Sequence, residues 1–237
     1  MDLPSSSRPQ RLGLRISSMV KKLCSTEQCS HLAEVSKFIG KLSRTLLDSC
    51  RTRSREERVD VVMSLKSLAN VGAALKSSHV DTLESCLEEK DNPAEVRIAA
   101  LQGLANVECG MKGNAAKKIL ADVSEDSEIR IAAYLAMMKC PDFRTILHMK
   151  ELLLTEEMNQ VGSFIWTHLQ NLAKTSLPSK ASVQALVLDQ VLVNKFNSDV
   201  RKFSRNLEYS LFFDEINAGS ISFIYQSWAP SMGRTGV

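Results

Sequence analysis

Three stretches of this chain repeat one another at nearly constant spacing, and that repetition limits the fold more than any other feature. Val61-Val62-Met63-Ser64-Leu65-Lys66-Ser67-Leu68-Ala69-Asn70-Val71 aligns with Arg97-Ile98-Ala99-Ala100-Leu101-Gln102-Gly103-Leu104-Ala105-Asn106-Val107. The second aligns in turn with Arg130-Ile131-Ala132-Ala133-Tyr134-Leu135-Ala136-Met137-Met138-Lys139-Cys140, so the offsets are 36 and 33 residues. A period in this range, with two helices per unit, predicts an all-α, HEAT-like superhelix: an α-solenoid. Each helix pair has an apolar face too narrow to fold alone, and stacking the pairs builds one continuous core. Ala99, Ala100, Ala132 and Ala133 are small enough for neighbouring helices to approach closely. Asn92-Pro93 and Asp126-Ser127 are expected to start helices, by side-chain cap and preset φ.

Helical spacing extends well beyond the repeat. Leu32, Val35, Phe38, Ile39, Leu42 and Leu46 mark one amphipathic helix, and Val80, Leu83 and Leu87 another. Met158, Val161, Ile165, Leu169 and Leu172 predict a long helix. Pro178 can open a last one, with Val183, Val187 and Val191 on its inner face. The helical-repeat domain is therefore expected over residues 12–200, after a Ser/Pro-rich, disordered tail at 1–11.

The period then changes. Phe203, Leu207, Tyr209, Leu211 and Phe213 alternate with mostly polar residues, Asn217-Ala218-Gly219-Ser220 signals a turn, and Ile221, Phe223 and Tyr225 resume the alternation. Residues 201–237 thus read as a β-hairpin that opens a sheet. A lone hairpin is marginal in water, so the sequence looks cut from something longer.

A helical repeat by itself names no function. The formal charge of +3 is too small to argue for nucleic-acid binding. No apolar run approaches the roughly 20 residues that span a bilayer, and the N-terminus lacks the apolar stretch of a secretory signal peptide. Cys24-x4-Cys29 is wider than a zinc knuckle, and no second ligand pair completes it, so no metal is expected. His168 falls beside Leu169 and reads as a packed, hydrogen-bonded histidine. His31, His79 and His148 have no partner at a recognised catalytic spacing. With no nucleophile–base pair and no phosphate loop, neither an enzyme nor a cofactor is expected. Arg44, Arg51, Arg53, Arg55 and Arg58 form the one notable basic cluster. It reads first as a solvated inter-helix loop and second as a docking patch for an acidic receptor.

Four blocks carry a resemblance. Leu65 to Gly72, Glu128 to Leu135 continuing to Pro141, Gln160 to Leu169, and Arg201 to Asn206 are similar, in that order, to the large lipid transfer protein family of vitellogenins, apolipophorins and apolipoprotein B. The resemblance implies a helical arch around lipid-enclosing sheets, secretion, and carriage of phospholipid and neutral lipid. Residues 201–237 would be the first strands of the lipid-cavity sheet, with Phe212, Phe213, Phe223, Tyr225 and Trp228 as lipid contacts. Lipoprotein-receptor contact would fall to the arginine cluster. The family's signal peptide, N-terminal barrel and most of its sheets are not in this sequence.

Secretion also gives the six cysteines a role. Cys24 with Cys29, Cys50 with Cys86, and Cys109 with Cys140 become disulfide candidates, one choice among the 15 connectivities that six cysteines allow. A cytosolic helical-repeat interaction scaffold without lipid remains the second reading.

Overall fold

A computed structural model describes residues 7–26, 32–46, 48–196, 205–213 and 218–226. Among these residues ten α-helices come first in chain order: α1 (Ser7–Thr26), α2 (Ala33–Arg44), α3 (Arg55–Asn70), α4 (Ser77–Glu88), α5 (Ala94–Ala105), α6 (Ala115–Ala121), α7 (Ser127–Met137), α8 (Phe143–Thr155), α9 (Asn159–Lys174) and α10 (Ala181–Leu188). Two strands follow, β1 (Arg205–Phe213) and β2 (Ala218–Gln226).

The helices alternate between two sets of contacts. Helices α1, α3, α5, α7 and α9 pack side by side in that order. Helix α4 packs on α5, α6 on α7, and α8 and α10 on α9. A helix such as α5 or α7 therefore has three neighbours and is covered on most sides. Every residue from Ile129 to Tyr134 is buried for this reason. The core runs continuously through Leu65, Leu83, Leu101, Leu120, Ile146 and Ile165. Each such side chain contributes about 1.5–3 kcal/mol on leaving water.

Ala99, Ala100, Ala132 and Ala133 are all buried, Ala100 and Ala133 completely. Small residues there let α5 and α7 lie close to their neighbours. Gly72 has a related task at the turn after α3. A Cβ at this position would fall 2.3 Å from the backbone oxygen of Asn106, so no side chain fits where one repeat's turn meets the next. Replacing Ala133 with leucine should cost about 1–3 kcal/mol through overpacking. A thermal melt shows the loss, and an unchanged melt would mean that the site is not closely packed.

The helix starts divide into two kinds. Asp126 caps α7 as expected, its carboxylate accepting from the Glu128 and Ile129 N–H groups at 2.8 and 3.4 Å. Asn92 does not cap α5. Its amide nitrogen donates back to the carbonyls of Ser49 and Cys86 at 2.8 and 2.9 Å, which leaves Pro93 at the cap position. An Asn side chain carries two donors, and here they serve the turn of the preceding repeat.

Two sequence expectations change in the structure. Helix α1 starts at Ser7, inside the stretch 1–11 expected to be an unstructured tail. Pro9 lies in its first turn, where a missing N–H costs nothing. Helix α10 ends at Leu188, so Val191 is not on its inner face and is 77% exposed. Val183 and Val187 are buried there. Finally, β1 and β2 pair antiparallel with Arg205 opposite Gln226 and Phe213 opposite Ala218. Phe212, Phe213, Phe223 and Tyr225, expected as lipid contacts, fall within these two strands, and Trp228 lies outside the described residues.

Candidate functional site

What the folded helices bring together is a seam of covalent and ionic links between successive repeats. Cys50, in the turn Asp48–Cys50, is bonded to Cys86 near the end of α4, with Cα atoms 5.0 Å apart. Cys109, just after α5, is bonded to Cys140, just after α7, at 5.7 Å. Both links span about one repeat, with sequence separations of 36 and 31 residues. Cys24 is disulfide-bonded as well. Cys29, the partner expected for it, lies outside the described residues.

Sequence reading missed the second kind of link altogether. Arg97 and Arg130 occupy the same position of adjacent repeats and are buried, with side chains 5% and 1% exposed. Each guanidinium makes the same three bonds. Arg97 Nε donates to the Leu87 carbonyl at 2.9 Å, and Nη1 and Nη2 reach Glu125 at 2.8 and 2.5 Å. Arg130 Nε donates to the Leu120 carbonyl at 3.0 Å, and its other nitrogens reach Glu156 at 3.2 and 2.5 Å. The planar five-donor fork suits this bidentate geometry, and lysine could not reproduce it. Arg97 holds the Glu125 carboxyl below the ordinary glutamate range by hydrogen bonding, against the opposing effect of burial. The signal in the sequence was an arginine at one repeat position with a glutamate 28 or 26 residues downstream.

Lys112 closes a third link. Its ammonium donates to the carbonyl of Ala105 in α5 at 2.9 Å and of Ala136 in α7 at 3.4 Å, a cation placed at two helix C-termini. Burial, then the nearby charge of Lys139, lowers its pKa. Between α7 and α9, the buried Tyr134 hydroxyl pairs with His168 Nδ1 at 2.7 Å, and its ring meets Phe164 edge-on. His168 is therefore a packed, hydrogen-bonded histidine, and burial pushes the Tyr134 phenol pKa up.

The arginine cluster is partly neutralised by the following repeat. Arg51 pairs with Glu89 at 2.6 Å and Arg58 with Glu95 at 3.4 Å. Arg44, Arg53 and Arg55 are exposed, and their guanidinium groups form no ion pair among the described residues, although the Arg53 backbone N–H donates to Glu57 at 2.6 Å. Among those residues, no group of acidic, cysteine or histidine side chains could hold a metal ion. Nor is any described helix long and apolar enough to cross a membrane.

Helices packed on one another, with disulfides and buried ion pairs joining successive units, place these residues in the all-helical class. Comparison with known proteins gives that class a family. The family model described as the vitellogenin TPR domain matches residues 6–170. Apolipophorins of Locusta migratoria are 36% identical over 92% of this chain and 6% of theirs. Vitellogenin of Penaeus merguiensis is 29% identical over 86% of the chain and 8% of its own. The chain belongs to the vitellogenin–apolipophorin family of proteins. It spans only a small fraction of the length of these relatives. A lipovitellin structure, described by its lipid–protein interactions, superimposes with a TM-score of 0.66 over 89% of this chain and 22% of that one, at 20% identity. At that identity the likeness is one of fold.

Proposed function

We propose that this chain is the helical scaffold of an extracellular lipid carrier of the vitellogenin and apolipophorin kind, with a structural role and no catalysis. The vitellogenin-type match across residues 6–170 carries this reading, and the lipovitellin-like fold supports it. In it the two sets of helices form a curved, two-layered arch, and residues 201–237 begin the sheet that faces phospholipid and neutral lipid. The disulfides suit an oxidising compartment. They weigh against the alternative of a cytosolic interaction scaffold without lipid. Contact with an acidic receptor would rest on Arg44, Arg53 and Arg55, because Arg51 and Arg58 are engaged by Glu89 and Glu95.

The helical part offers acyl chains little surface where repeats pack through buried alanines. Lipid should therefore bind chiefly through the strand region. Flotation with liposomes compares residues 1–200 with residues 1–237, each checked for matching helical circular dichroism. The longer chain should float and the shorter should largely remain behind. Equal, strong flotation of both would move the lipid surface onto the helices.

A further inference from the structure

The two mapped disulfides differ in access. Cys50 and Cys86 are both completely buried. Cys109 is exposed and Cys140 half-buried. Cys109 opens a single turn, Cys109–Met111, that contains no buried residue, and beside Gly110 there is open space. Both sulfur-bearing residues line an open cleft of about 300 Å³, together with Lys112, Lys117, Ala136 and Thr145. Two carboxylates also line it, and each is engaged in capping. Glu84 accepts from the Ala115 N–H at the start of α6, and Asp142 from the Thr145 N–H at the start of α8 at 2.7 Å.

Thiol–disulfide exchange needs a thiolate to reach a sulfur, so access governs its rate. A buried disulfide reacts only when the structure around it opens, and a surface turn with few packed atoms opens most readily. We propose that Cys109–Cys140 is a thiol-exchange site, a clasp between successive repeats that a small thiol opens while Cys50–Cys86 stays closed. An incoming thiolate attacks the Cys109 sulfur, forming a mixed disulfide and breaking the Cys109–Cys140 bond. The electron pair leaves on the Cys140 sulfur, which takes up a proton from solvent. A second thiol then attacks the mixed disulfide, so that two thiols become one small-molecule disulfide and the protein gains two cysteine thiols.

The repeats stay together when the clasp opens. Arg97–Glu125 and Arg130–Glu156 do not involve either cysteine and lie outside the turn at Cys109. What loosens is the turn around residues 106–114. This chemistry is independent of lipid binding.

The test incubates the whole folded chain with reduced glutathione, quenches with acid, alkylates and maps the cysteines. Cys109 and Cys140 should become labelled about tenfold or more faster than Cys50 and Cys86, as access-controlled exchange requires. A glutathione adduct should appear first on Cys109, with helical circular dichroism unchanged. Equal rates for the two pairs, earlier opening of Cys50–Cys86, or a first adduct on Cys140 would overturn the assignment.

Discussion

Arg130→Ala should lower stability by about 3–5 kcal/mol, the usual loss when one partner of a buried ion pair is removed. The size follows from what is left behind. Glu156 has a side chain only 2% exposed, and among the described residues its carboxylate would keep the Met158 N–H, at 2.8 Å, as a partner. The Leu120 carbonyl would lose its Nε–H donor as well. Urea denaturation of the variant should show a lower midpoint with little change in slope. The double variant Arg130→Leu with Glu156→Leu is the control, because replacing a whole buried pair by apolar residues is often close to neutral. A single variant as stable as the wild type would show that Glu156 reaches water or another cation. Arg97→Ala should behave alike but more mildly, since Glu125 is more exposed, at 8%.

Removing Cys50–Cys86 by a double alanine substitution should cost about 4 kcal/mol on the loop-entropy model, given the 36-residue separation. Both residues are fully buried, so truncation also leaves a small void that adds to the loss. Denaturation without reductant, compared with the wild type, gives the number directly. Cys109–Cys140 closes a loop of similar size, 31 residues, and its removal should cost nearly as much at equilibrium. The two bonds are thus expected to match in stabilisation and to differ in the rate at which a thiol opens them. A loss below about 1 kcal/mol for Cys50–Cys86 would mean that the unfolded chain is already compact around it.

How much of this was legible in the sequence depends on the range over which each feature is decided. The helices at Leu32–Leu46 and Met158–Leu172 were readable because side-chain periodicity is local. Asp126 was readable as a cap for the same reason, since its acceptors lie two and three residues away. Asn92 has the same local pattern but bonds to Ser49, 43 residues earlier, and no local rule foresees that. The basic cluster was visible as five arginines. That Glu89 and Glu95 occupy two of them required the next repeat to be in place.

The sequence by itself determined the repeat, its period, the alanines at the helix contacts and, through family resemblance, cysteine pairs about one period apart. These follow from backbone geometry and chain length, which translate directly into spacing. Only the tertiary structure decided that Arg97 and Arg130 are core residues, that α5 and α7 are covered on most sides, and that one disulfide is sealed while the other faces a cleft. Burial is a property of neighbours, and the decisive ones here lie far along the chain, as Glu156 lies 26 residues from Arg130 and Ser49 43 residues from Asn92. An arginine in a helical stretch reads as solvent-facing until the next repeat supplies a glutamate and a wall of apolar side chains, and then the same residue becomes the tie between two repeats.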